Sequence, residues 1–455
     1  MFFNMIKQVA ASYLSGFIIV FLTGISPIVS AQDLLEIYEL ALQNDPVLKQ
    51  AYAGQLAVGE SKNQSIANFL PNVSATGVSN MNRLDNKGAT FQGSGLQNYV
   101  DNNFTVNLTQ PLIHWEHWIQ LSQSDNQIAQ AEADYQSELQ KLMVKITEAY
   151  FNVLSAEDNL EFSRAEKQAI ARQLEQAKQQ FAIGLIGITE SHQAQAAFDR
   201  AVADEIEATN NVDNQKEALT AIIGEQNIVL SNLGGIIPLV RPEPDDIMAW
   251  SDSAEIGNFS IISAFNQMEF SRKAIDLQRN GHLPKIDMIA SVGQYDTTST
   301  FGLQGSQETV GLRLNVPLFE GGAVNSRVDQ ASYKYEQAKE NLTATKRTVK
   351  RQVKDAYRGV TTSISRVEAL KVAVSSAEIA LQATEAGFEV GVRTLVEVLD
   401  EQRNLYRAKR DYSRSRYDYL LNTVKLKQAS SSLAQEDLQQ INRLLVASSA
   451  SRHEK

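Results

Sequence analysis

The chain contains no cysteine, which excludes disulfides, thiol catalysis, thiolate metal sites and lipid attachment at a mature N-terminal cysteine. Proline is scarce, with nine in 455 residues, so the intervals between prolines carry information about how far a helix can run. Positive charge is in deficit: 42 Lys and Arg stand against 53 Asp and Glu, for a net charge of −11. A nucleic-acid partner is therefore not expected, since phosphate binding needs a basic surface. No Walker loop, G-x-S-x-G or H-E-x-x-H occurs, and neither an enzymatic activity nor a cofactor is expected.

Residues 1–31 read as an export signal. Lys7 supplies the positive start, Val9 to Leu22 is mostly apolar, and Pro27 breaks the run before Val29-Ser30-Ala31. A membrane anchor is the other reading, but the apolar core is short and carries Ser12, Ser15 and Gly16. No further apolar run of membrane-helix length follows. Exported, cysteine-free and acidic fits a bacterial envelope protein.

The remainder is one unit written twice. Gly184 and Gly391 lie 207 residues apart, and the same offset relates Phe181 to Phe388 and Ala149-Tyr150 to Ala356-Tyr357. The apolar register carries over too. Leu142, Ile146, Ala149, Val153, Ala156 and Leu160 alternate steps of four and three, and Val349, Val353, Ala356, Val360, Ser363 and Val367 repeat them. That series continues through Leu370, Val374, Ala377 and Leu381. A sustained seven-residue repeat keeps its seam against a neighbour when helices supercoil left-handedly. Ala, Val and Ser in the seam predict close approach.

Proline is absent between Pro111 and Gly184, and again between Pro317 and Gly391. Each interval is about 70 residues, roughly 100 Å as a helix. Return helices are expected near 189–226 and 393–430, and opening helices near 33–69 and 252–281, before Pro71 and Pro284. The resulting organisation is a first repeat over 32–231, a linker over 232–251 rich in Gly and Pro, a second repeat over 252–430 and a C-terminal segment over 431–455 with a frayed tail.

Between the first two helices of each repeat the period becomes two. Strands are expected at about 72–83 and 101–110, then at about 285–296 and 307–317. Val73, Ala75, Gly77 and Ser79 alternate with polar residues, as do Ile286, Met288, Ala290 and Val292, and Val310, Leu312, Leu314 and Val316. These lengths suit tilted strands crossing a bilayer, although half-buried strands of a soluble sheet alternate in the same way. Open edges are forbidden in lipid, and four strands are too few to close. Spanning strands thus require several chains in one barrel.

Leu70-Pro71 and Leu283-Pro284 before the strands, Pro111-Leu112, Pro317-Leu318 and Gly321-Gly322 after them, and the two tip motifs resemble the TolC family of outer-membrane efflux proteins. So do Gly281 to Pro284, Gly391 to Asp400 and Tyr417 to Leu426. The resemblance implies a mostly α fold with membrane β: three chains forming a twelve-stranded outer-membrane β-barrel, continued by a twelve-helix periplasmic α-barrel. It implies a passive exit duct for tripartite multidrug efflux or type I protein secretion. The implied partners are a homotrimer, outer-membrane lipid, a periplasmic adaptor (membrane fusion protein) and an inner-membrane transporter of the RND, ABC or MFS type. The other architecture, a periplasmic coiled-coil adaptor, normally has one hairpin and does not account for two bilayer-length strand pairs.

The same resemblance implies site residues. Glu397 and Asp400 share a helix face, and match acidic positions at the narrowest periplasmic end of the pore. In a trimer they form two carboxylate rings whose repulsion is expected to raise some pKa values. Arg393, Thr189, Glu190, Gln173, Thr343 and Phe388 match a network latching the closed tip, with Arg393 expected on Glu190. Phe388 stands where the family relative has tyrosine, and Thr343 where it has an acid. Gly184, Gly187 and Gly391 are expected to permit positive φ at the tips, with Thr189 and Thr394 as N-caps. The tips, Phe181 to Glu190 and Phe388 to Asp400, are implied to dock the adaptor.

One cluster stands apart. His114 and His117 flank Glu116 in His-Trp-Glu-His-Trp, a spacing able to hold a metal. Trp115 and Trp118 follow a strand, where aromatic residues mark a membrane interface. The interface reading places the histidines among headgroups, and no metal is assigned there.

Overall fold

The computed structural model describes residues 31–87, 95–226, 228–235, 237–299, 302 and 304–446. The expected export signal, all but Ala31, and the expected frayed tail lie outside the described residues.

Each repeat is opened by two helices rather than one. α1 (Leu34–Asn44) and α2 (Pro46–Ala67) meet at Asp45, which ends the first and caps the second. Its carboxylate accepts from the Leu48 N–H at 2.8 Å, and Pro46 sits at the first helical position, where its missing N–H costs nothing. The corresponding opening of the second repeat breaks at Asn258, between α5 (Ile247–Gly257) and α6 (Phe259–Arg279). It starts before the expected 252 because Asp246 caps it, accepting from the Met248 N–H at 2.8 Å.

The long helices are α3 (Trp115–Ala182) and α7 (Ala323–Glu389), of 68 and 67 residues. They return as α4 (Ile188–Ile223) and α8 (Leu395–Ala429). α7 starts after Gly321 and Gly322, whose φ values of 59° and 82° are left-handed. Leu142, Ile146, Val153 and Ala156 are buried along α3, and Val349, Val353, Val360, Ser363 and Val367 along α7. Toward the tip, Leu370, Val374, Ala377 and Leu381 are only half-buried in the single chain. In α4 the buried face is an alanine heptad, Ala194, Ala201 and Ala208, which lets helix axes approach closely.

Between the helices lie β1 (Asn72–Asn86), β2 (Gly95–Ile113), β4 (Lys285–Thr297) and β5 (Gly305–Asn315). They form one antiparallel sheet in the order β1-β2-β4-β5, with β1 and β5 at its edges. β2 exceeds its expected range at both ends. The register sets residues in rows across the sheet, since paired residues point to the same face. Val73, Leu108, Ala290 and Val310 form one row; Ala75, Val106 and Val292 continue it in the next. The opposite face carries Ser74, Asn107, Ser291 and Thr309. Val310, Leu312 and Leu314 of the apolar face are 79%, 71% and 63% exposed.

The main core lies at mid-height, where α1, the middle of α3, and the ends of α4 and α8 converge. The linker contributes to it through β3 (Asn232–Leu233), which pairs with β6 (Leu445–Val446) beyond α9 (Gln435–Asn442). The C-terminal segment is thus folded back onto the junction between the repeats.

Candidate functional site

The two tips are copies down to their turns. Gly184 N–H donates to Phe181 O at 3.0 Å, and Leu185 N–H to Gln180 O at 2.8 Å. Gly391 N–H donates to Phe388 O at 3.0 Å, and Val392 N–H to Gly387 O at 2.9 Å. Gly184 and Gly391 have φ of 75° and 77°, the left-handed region that closes a helix end with least strain on glycine. Gly187 differs from expectation: its φ is −76°, and it is the N-cap of α4 in place of Thr189. Thr189 is exposed on the first turn. Thr394 caps α8 as expected, in a box with Glu397.

That box decides where the tip charges go. Glu397 Oε2 accepts from the Thr394 N–H at 2.7 Å, while its Oε1 is 3.0 Å from Arg393 Nη1. Glu190 Oε2 likewise accepts from the Gly187 N–H at 3.0 Å. Within one chain Arg393 therefore pairs with Glu397 and not Glu190. In the single chain the Thr394 N–H, with Arg393 beside it, holds the Glu397 carboxyl below the ordinary carboxylate range. Asp400, one turn on, is paired with Arg403 at 3.1 Å.

Phe388 packs with Ile186 against an apolar tip cluster that includes Leu174, Ala194, Leu395 and Leu399. The ring thus joins α7 to the three other tip helices by burial, where a tyrosine would add a hydroxyl. Thr343 spends its hydroxyl on Lys339 O of its own helix, at 3.1 Å. Gln173 lies on α3 with its buried Oε1 lacking a hydrogen-bond partner among the described residues. Gly387 is not among the residues that the sequence singles out. A Cβ there would lie 2.7 Å from Arg393 Cγ, so its bareness makes room for the arginine stem. Ile183, Leu185, Val390 and Val392 leave the tips apolar, each more than 70% exposed.

At the other end of α3, Trp115 and Trp118 are exposed. Trp118 meets Phe69 edge-on with centroids 4.8 Å apart. His114 and His117 stack at 4.7 Å and 17°. Burial, then the His114 charge, holds the His117 imidazole below its ordinary value.

The family profile described as Outer membrane efflux protein matches residues 37–225 and 250–432. Outer membrane protein TolC of Vibrio cholerae is 36% identical over 425 residues, spanning 92% of this chain and 95% of that protein. Outer membrane protein TolC of Escherichia coli is 34% identical over 442 residues, spanning 93% and 87%. Alkaline protease secretion protein AprF of Pseudomonas aeruginosa is 28% identical, spanning 90% and 86%. Among solved structures, the CmeC outer membrane channel of Campylobacter jejuni superposes with a TM-score of 0.76 at 16% identity, covering 91% of this chain and 90% of that one. The fold, the twofold repeat and these matches together mean that the chain belongs to the outer membrane efflux protein family.

Proposed function

We propose that three copies of the chain close one outer-membrane β-barrel and continue it as a helical tunnel into the periplasm. Family membership makes it an outer-membrane channel for efflux and type I secretion. The observation that carries the trimer is the sheet: four strands with two open edges, an exposed apolar face and a polar one. Lipid admits no open edge, so β1 of one chain must pair with β5 of another, and three chains supply the twelve strands. The polar face then lines a water-filled lumen.

The gate is the tip. Glu397 and Asp400 form two acidic rings at the periplasmic entrance, favouring cations. Arg393, Glu190, Thr189 and Gln173 latch neighbouring hairpins, with Phe388 supplying an apolar contact. The exposed apolar rim beside Gly184, Gly187 and Gly391 receives a periplasmic adaptor that brings an inner-membrane RND, ABC or MFS transporter. Trp115 and Trp118 lie at the periplasmic interface of the outer membrane.

The test is direct. Detergent-extracted protein is expected to be trimeric by native mass spectrometry and to conduct in planar bilayers. Deletion is expected to raise sensitivity to dyes, detergents and antibiotics, or to abolish secretion of a protein substrate. A monomer without conductance would end the channel reading.

A further inference from the structure

The geometry points to a divalent transition-metal site of the zinc class at the base of the sheet, formed by His114, Glu116 and His117, with Asp287 as the orienting carboxylate. His114 Nε2 lies 2.9 Å from Asp287 Oδ1, and its Nδ1 lies 3.2 Å from Glu116 Oε1. A neutral imidazole has one N–H. Given to Asp287, it leaves the Nδ1 lone pair facing Glu116 Oε1, the oxygen that Lys285 also bonds, and a cation between the two would relieve that contact. Two donors at 2.0–2.2 Å on one tetrahedral ion stand about 3.4 Å apart, close to the separation found. His117 supplies the third donor: its Nδ1 is buried and has no hydrogen-bond partner among the described residues. One ligand atom from each of the three lies within 4.8 Å of the others.

Asp287 was invisible to the sequence reading, being 173 positions from His114. It arrives through the pairing of β2 with β4, where Pro111 faces Asp287. These are the two inner strands of the sheet, so the site is complete within one chain. A carboxylate on the far nitrogen of a ligating histidine fixes its tautomer and raises its basicity. Imidazole with carboxylate suits Zn²⁺, Ni²⁺ or Cu²⁺ better than Mg²⁺ or Ca²⁺. Lys285 also bonds Glu116, and its side chain is 38% exposed; its ammonium competes for the same carboxylate and swings into solvent when the ion binds.

The experiment uses tag-free, full-length exported protein in detergent, stripped with chelator and titrated with ZnCl₂ by calorimetry, with elemental analysis of the loaded trimer. One ion per chain is expected. His117→Ala is expected to abolish binding, Asp287→Asn to weaken it roughly 10–100-fold, and Lys285→Gln to tighten it by removing the competing charge. Conductance at wild-type level certifies that each variant is folded. Excess Mg²⁺ is expected not to displace the ion. Wild-type protein that takes up no zinc, or His117→Ala that binds it unchanged, overturns the proposal.

Discussion

Arg393 and Glu397 face each other across one turn at the start of α8, with Nη1 and Oε1 3.0 Å apart. The same carboxylate closes the Thr394 capping box, so one side chain both starts the helix and holds the arginine. An interchain contact from Arg393 to Glu190 must draw the guanidinium off Glu397, and draw Glu190 away from the Gly187 N–H it now accepts. In the proposed gate, closure is then expected to be an exchange of partners with little net gain.

Arg393→Ala is expected to raise conductance severalfold in planar bilayers, because both arrangements lose their cation. Conductance equal to wild type would remove Arg393 from the latch. Gly387→Ala is expected to act in the same direction more weakly, since its Cβ would crowd the arginine stem at 2.7 Å.

Acid is expected to loosen the Arg393–Glu397 pair. The folded pKa of Glu397 is depressed from 4.5, so the ion pair and cap contribute fully above that value and fade as pH falls through the lower folded one. Protonated Glu397 releases Arg393 to Glu190, so conductance is expected to stay flat at neutral pH and to fall only in acid below 4.5. In Glu397→Gln that acid fall is expected to shrink. A fall of equal size in the variant would assign it to other carboxylates.

In the proposed channel the paired acids are expected to set ion preference. Glu397 and Asp400 are three residues apart on one helix face, so a threefold ring doubles into two acidic layers. Asp400→Asn and Glu397→Gln are each expected to lower cation selectivity and weaken block by multivalent cations, and the double variant more so. Reversal potentials in a salt gradient measure this. Unchanged selectivity in the double variant would move the constriction elsewhere.

Much of this was legible because periodicity and punctuation agree over long stretches. The absence of proline between Pro111 and Gly184 and between Pro317 and Gly391 left α3 and α7 little choice, and the alternation from Val310 to Val316 fixed which face of β5 is apolar. The misses are local or distant. Asp45-Pro46 is itself a cap followed by a first-turn proline, but the apolar pattern runs through it and hides the break. Thr394 to Glu397 is a readable capping box, yet its charge consequence for Arg393 appears only once both lie on one turn. Gly387 makes room for a side chain six positions on across a turn, and His114 meets Asp287 through strand pairing; neither has a signature in spacing.

The two faces of β5 offer a contrast within neighbouring residues. Leu312 lies on the exposed apolar face and Thr309 on the polar one. Leu312→Lys is expected to cost about 2–4 kcal/mol if it falls near the bilayer midplane, and to cut the yield of heat-resistant oligomer in the outer membrane. Thr309→Lys is expected to be tolerated and to shift conductance. Equal assembly of both variants would contradict the assignment of faces.

The repeat also predicts an asymmetry in stability. Tyr150 is buried, and its hydroxyl donates to Ser231 O at 2.8 Å, with Gln32 O 3.3 Å away. It ties α3 to the chain's N-terminal segment and to the residue just before β3, and burial drives its pKa well above the ordinary tyrosine value. The equivalent Tyr357 in α7 is only partly buried and donates to the exposed Asp245. Tyr150→Phe leaves a buried carbonyl without its donor and is expected to cost about 1–3 kcal/mol, whereas Tyr357→Phe is expected within about 0.5 kcal/mol of wild type. Thermal melts of the detergent-solubilised protein, followed by circular dichroism at one scan rate, compare the two. If Tyr357→Phe lowered the midpoint as much as Tyr150→Phe, the mid-height core would not be the part whose loosening limits the fold.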